Sequence, residues 1–191
     1  MSDPAGISFG MDTEHADPAV ITELRDALCA DDEGKSALGW PGVHAFEAEH
    51  GVTLPEPYRT FVAEVSDGSF AGPPDCGLVA LAALPSDWGD GRPERVLAKP
   101  FPLTAAWLWE EDEEPDEELI DRVFNDGSIV LGTDGCGAYW HLVVTGPHRG
   151  QVWMITGEGA APFGAEFGQG GGEAGFAGWV RHWSAGEPWF E

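Results

Sequence analysis

The chain has 191 residues, with 9 Lys and Arg against 34 Asp and Glu, a formal charge of −25 at neutral pH. So acidic a surface repels phosphate backbones and anionic lipid, which sets aside direct nucleic-acid binding and membrane attachment and leaves a basic partner, a divalent cation or plain solubility. Hydrophobic residues at 42% and nine Trp argue against disorder of the whole chain.

Residues 1–15 hold Gly, Pro, Asp and Ser without periodicity and are expected to be a flexible lead-in. The first helix signal follows: Asp17 as N-cap, Pro18 at the first helical position, and Ile21, Leu24 and Leu28 as an apolar stripe. Trp40-Pro41 opens a shorter helical stretch with Val43 and Phe46, ending near Gly51. Pro55 and Pro57 then fall in the opening turn of a regular helix, whose Tyr58, Phe61, Val62 and Val65 share one face. Ser66-Asp67-Gly68 stops it, and after the Gly72-Pro73-Pro74-Asp75 loop the apolar run from Gly77 to Leu84 is expected to be a strand.

A loop rich in Asp, Gly and Pro covers 85–95, and Pro100-Phe101-Pro102-Leu103 leads to Trp107, Leu108 and Trp109. The composition then changes. Glu110, Glu111, Asp112, Glu113, Glu114, Asp116, Glu117, Glu118 and Asp121 are nine acids with no base among them, and over a quarter of the chain's acid lies there. Leu119, Ile120 and Val123 can anchor the second half of this run as a short helix. Asn125-Asp126-Gly127 is a turn signal that opens the sheet-forming part: Ile129-Val130-Leu131, Ala138 to Thr145, and Gln151 to Thr156. The last two flank Gly146 to Gly150, as in a hairpin with a five-residue loop. Trp140, Leu142 and Val144 alternate with Tyr139, His141 and Val143, so both faces of that strand are expected to be covered. Gly164 to Gly175 is glycine-rich and expected to be a flexible loop, and Phe176, Trp179, Val180 and Trp183 return to helical spacing.

One domain is expected at this length. Cys29, Cys76 and Cys136 are odd in number and widely spaced, and with no apolar leader in Met1-Ser2-Asp3-Pro4 and no long apolar run they point to a cytoplasmic chain without disulfides.

No motif demands catalysis or a cofactor. The acidic run has a Pro and no Gly where an EF-hand loop needs alternating ligands and a central Gly; a solvated face or a contact surface for a basic partner are its other readings. His15, His44, His50, His141, His148 and His182 contain no H-E-x-x-H and no i, i+4 pair. His141 reads as a hydrogen-bonded histidine inside the sheet; Ser128 and Asp134 could join it in a triad on paper, but Ser128 is not in a G-x-S-x-G elbow. The stretch Gly132 to Gly137 and Gly157-Glu158-Gly159 lack the Lys of a P-loop and the helix of a dinucleotide fingerprint, and read as tight turns. Cys136 has no neighbouring cation to make a thiolate of it.

Gly51-Val52-Thr53-Leu54-Pro55-Glu56-Pro57-Tyr58-Arg59 running into Phe61-Val62, then Ser66-Asp67-Gly68, Gly72-Pro73-Pro74 and Gly77-Leu78, resembles the SUKH superfamily, which includes the Smi/Knr-type cell-wall regulators and bacterial toxin-immunity proteins. Gly132 to His141, Gly150-Gln151-Val152-Trp153 and the Phe176 to Trp183 helix are similar to its second half, so the likeness spans roughly 16–185. The resemblance implies a single α+β domain over 16–191, a largely antiparallel sheet with N-terminal helices and a C-terminal helix packed on it, and no catalytic residues. The acidic run at 110–121 and the glycine-rich segment are insertions on that pattern.

It also implies a non-enzymatic protein-binding module, foremost an immunity protein that neutralises a bacterial toxin domain such as a basic nuclease or deaminase. A regulatory scaffold for an endogenous partner is the alternative, and an uncharacterised hydrolase the least favoured reading. The expected contact residues are Glu110, Glu111, Asp112, Glu113, Glu114, Asp116, Glu117 and Glu118, which would steer a basic partner, with Trp107 and Trp109 as aromatic anchors.

Overall fold

Four antiparallel strands form a meander in the order β1-β2-β3-β4: β1 Ser128–Gly135, β2 Ala138–Val143, β3 Val152–Ile155 and β4 Ala160–Pro162. They belong to a computed structural model that describes residues 15–30, 33–73, 76–89, 94–164 and 173–189. The lead-in up to Glu14 and residues 165–172 of the glycine-rich segment lie outside those described residues.

Strand β2 has both faces covered, as the alternation of Trp140 and Leu142 with Tyr139, His141 and Val143 predicts. Trp140 and Leu142 point into a core with Leu24 and Leu28, Phe61 and Val62, and Phe176 and Trp179. These come from three helices, α1 Pro18–Leu28, α3 Tyr58–Glu64 and α5 Phe176–Ser184, with α2 Trp40–His50 at their side. Tyr139 and Val143 face the other way, into a second core with Trp88, Phe101, Trp109, Val123 and Phe124. That side is roofed by loop residues and by α4 Glu117–Asn125. Each face therefore removes several aromatic side chains from water, the dominant stabilising term in a fold of this kind.

Local signals set the helix ends. The Asp17 carboxylate accepts from the Ala19 amide at 2.8 Å, capping α1, and Ile21, Leu24 and Leu28 are its buried residues. Helix α2 runs to Gly51, whose φ of 66° is the left-handed cap that glycine supplies without strain; at 11 residues it is as long as α1, not shorter. Glu47 of α2 is bidentate to Arg59 of α3 at 2.7 and 3.0 Å. Glu23 of α1 binds Arg181 of α5 at 2.7 and 2.8 Å. The β1–β2 loop is Cys136-Gly137, with φ of 54° and 80°, the positive pair that a type I′ hairpin requires.

The run from Gly77 to Leu84 is not a strand. Only Leu78 makes a bridge, exchanging hydrogen bonds with Ser69 at 2.9 and 3.1 Å, and Val79 donates to Leu131 O. The Asp67 carboxylate then captures the Leu81 amide at 2.7 Å and the chain turns. A side-chain acceptor has taken the donor that a ladder would need. Strand β4, by contrast, has no strand signal in Ala160-Ala161-Pro162; it exists because Met154 and Ile155 on one side and Trp107 on the other pair with it.

Candidate functional site

The acidic run leaves the sheet at its β4 edge. Trp107 and Ala160 exchange backbone hydrogen bonds at 2.9 Å, the Glu110 amide donates to Glu158 O at 3.1 Å, and the Trp109 indole donates to Gly157 O at 2.7 Å. Residues Trp109–Glu111 form one 3-10 turn, and α4 begins at Glu117. Trp109 is 4% exposed and packs against Trp107 and Phe124, while Val123 and Phe124 bury the inner side of α4. The run is thus fastened from beneath and turned outward.

All nine acids are exposed. Asp112 accepts from the Trp107 indole at 2.8 Å, and Asp116 caps α4 through the Leu119 amide at 3.0 Å. Glu117 and Glu118 occupy the first turn of α4, where the positive end of the helix dipole favours them. Among the described residues no Lys or Arg lies within ion-pair distance of any of the nine; the ion pair on α4, Arg122 with Asp126, lies beyond the run. The run is therefore a concentration of negative charge to which a basic surface is complementary.

Of the two aromatic residues, the structure leaves Trp107 half-buried at the foot of the run and places Trp109 in the core. Trp109 acts by holding the acidic segment against the sheet, and Trp107 is the one of the pair with surface to offer. An aromatic residue beside a charge run reads the same in sequence whether it points in or out.

Ser128 and His141 do meet, Oγ to Nδ1 at 2.9 Å across the β1–β2 ladder, and both are 0% exposed. Asp134 joins neither. It accepts from the Trp140 indole at 3.0 Å, on the strand's other face. The three residues form no triad, and His141 is the hydrogen-bonded residue inside the sheet that its strand position predicts. Cys29, Cys76 and Cys136 are free thiols, and burial pushes the Cys29 thiol up. Among the described residues no cluster of three or more His, Cys, Asp or Glu is placed to hold a metal ion, and no helix is long and apolar enough to cross a membrane.

Sequence reasoning passed over Arg95. Its guanidinium lies 5.3 Å from the Trp88 ring centroid and donates to Ser128 O at 2.5 Å. It lines a hollow of about 270 Å³ between α2, residues 81–84 and Ile129. An Arg in a loop rich in Asp and Gly gives no local sign of this, because Trp88 and Ser128 reach it only through the fold.

Residues 43–168, about two thirds of the chain, match the model of the SMI1 / KNR4 family (SUKH-1). The match takes in α2 from Val43 onward, α3, the acidic run and the whole sheet, and leaves α1 and α5 outside it. Comparison with curated proteins and with solved structures finds no match.

Proposed function

Because the chain belongs to the SMI1 / KNR4 family (SUKH-1), whose members are protein-binding immunity or regulatory proteins generally without enzymatic activity, we propose that it is an immunity protein that neutralises a toxin domain by binding it. The observation that carries the finer reading is the acidic run. Nine exposed carboxylates on one fastened segment, with no described Lys or Arg within ion-pair distance, form a surface whose complement is basic. Toxin domains that act on nucleic acid present such a surface, since they must hold phosphates.

In this reading Glu110, Glu111, Asp112, Glu113, Glu114, Asp116, Glu117 and Glu118 attract and orient the partner, and Trp107 supplies apolar contact less sensitive to salt. Trp109 keeps the segment in place. Binding occurs in the cytoplasm, needs no cofactor, and blocks the toxin by occupying its substrate cleft.

The test is co-expression of the chain with the product of an adjacent gene that encodes a toxin domain. Restored growth and a complex surviving size-exclusion chromatography support the reading. No protection, together with capture of an endogenous protein of the same cell, would replace it with the regulatory alternative.

A further inference from the structure

In a chain with 34 acids and 9 bases, a largely buried cation with no carboxylate partner is unexpected. Arg95 is such a cation. Its Nη2 donates to Ser128 O and its face lies against Trp88, but Nε is sealed from solvent without a partner, and among the described residues no Asp or Glu lies within ion-pair distance. Burial pushes the guanidinium down to about 10, so it keeps its charge at neutral pH.

The hollow that Arg95 lines is otherwise mostly apolar. Phe46, Leu81, Leu97 and Ile129 make its walls, and Leu84 stands 42% exposed at its lip. Glu49 and the half-buried His50 also line it, and Glu49 is exposed, so water and salt screen its effect on an incoming anion. One fixed cation in an apolar recess selects a particular ligand chemistry, a carboxylate carried on an aliphatic body. The open, apolar lip at Leu84 favours a ligand that continues across the surface over a small molecule that would be enclosed.

We propose that this hollow receives the C-terminal residue of a protein partner, its α-carboxylate against the Arg95 guanidinium and an aliphatic side chain between Phe46, Leu81, Leu97 and Ile129. The guanidinium has five N–H donors, and the bond to Ser128 O uses one. Its remaining Nη donors meet a carboxylate, and the apolar walls set the size of the side chain beside it. Only the occupant's identity rests on the chain being a protein-binding module. The hollow shares no residue with the acidic run, so either site can fail without the other.

The probe is N-acetyl-leucine, which reproduces a peptide's final residue, titrated into the full chain and followed by backbone amide NMR. We expect saturable shifts at Leu81, Leu84, Leu97 and Ile129 with a dissociation constant on the order of millimolar, as befits so small a ligand. N-acetyl-leucinamide, which lacks the charge, should bind at least about tenfold more weakly. Arg95→Gln should abolish the shifts; because it disturbs a buried group, Leu84→Glu at the exposed lip is the second variant and should weaken binding about tenfold with the fold intact. Equal binding of acid and amide, or no shift at about ten times the millimolar level, would overturn the proposal. Tighter binding of 4-methylpentanoate, which has no peptide group, would overturn the peptide end as occupant.

Discussion

Trp107 and Ala160 exchange both of their backbone hydrogen bonds, each at 2.9 Å, and so stitch the start of the acidic run to the open edge of strand β4. The pairing does two things at once. It covers the β4 edge, a row of donors and acceptors that would otherwise invite a foreign strand, and it fixes where nine carboxylates emerge from the sheet. An electrostatic surface is useful for recognition only if its position is held, and here backbone geometry holds it.

If the run steers a basic partner, removing its charge should act on association. Changing Glu110, Glu111, Glu113, Glu114 and Glu118 to Gln spares Asp112 and Asp116, whose carboxylates bond Trp107 and cap α4. The variant should fold with wild-type stability, lose about tenfold in association rate at low salt, and show a flatter dependence on ionic strength, with dissociation little changed. Stopped-flow association across a salt series measures this; an unchanged association rate would remove the run from the interface.

The two tryptophans should separate cleanly. Trp109 is buried against Phe124, so Trp109→Ala should cost about 3–5 kcal/mol in urea unfolding and increase hydrogen exchange through residues 107–112. Trp107 is half-buried, so Trp107→Ala should cost less stability and weaken partner binding by about 1–2 kcal/mol, read by calorimetry. Equal stability losses would mean that Trp107 is a core residue too.

Helices α1, α3 and α5 were legible in the sequence because their information is local: an acid and a proline at one end, or an apolar stripe at spacings of three and four. The β2–β3 hairpin was legible because Gly146 and Gly150 bound its turn, whereas of the Gly132 to Gly137 stretch read as a turn only Cys136-Gly137 is one, Gly132 to Gly135 being paired within β1. What could not be read locally is what the tertiary structure imposes. Asp67 diverts Leu81 from a strand, Met154, Ile155 and Trp107 make a strand of Ala160-Ala161-Pro162, and Trp88 and Ser128 gather around Arg95 from either side of it in the chain. For the acidic site, charge and position were visible in the sequence, but which of two neighbouring tryptophans faces out depends on Phe124 and Gly157, and those contacts exist only once the sheet has formed.

Gly127 tests how tightly the second core closes. Its φ is 64°, and a Cβ there would lie 2.2 Å from the Phe101 amide nitrogen and 2.5 Å from Lys99 O, both backbone atoms that cannot turn aside. The residue reads in sequence as a simple turn glycine, yet the structure makes it a close crossing of two chain segments; its carbonyl accepts from both Val144 and Thr145. Gly127→Ala should therefore destabilise by about 3 kcal/mol or more, well beyond the ordinary cost of placing Ala at positive φ. Chemical denaturation measures it, and a loss near 1 kcal/mol would show that Phe101 can retreat.

Glu47 and Arg59 join α2 to α3, and their pairing should show as a pH dependence of stability. Burial alone would raise the Glu47 carboxyl, but the hydrogen bonds from the Arg59 side chain and the Leu54 amide outweigh it and hold the pKa below the usual carboxylate value. A group with a depressed folded-state pKa binds protons more readily when unfolded. Its contribution is therefore complete above the unfolded value of about 4.3 and lost as pH falls from there through the lower folded value. Glu47→Gln keeps the shape and removes the charge, leaving Arg59 with Glu56 at 4.0 Å as its remaining carboxylate. At pH 7 the variant should be less stable by about 2–3 kcal/mol, somewhat under the cost of breaking a fully buried pair. Below pH 4 the gap should narrow, because the wild-type carboxylate becomes protonated and loses the same interaction. Urea unfolding of both proteins between pH 3 and 7 measures the difference directly, and a gap constant across that range would mean that the pair contributes shape and hydrogen bonding but no charge.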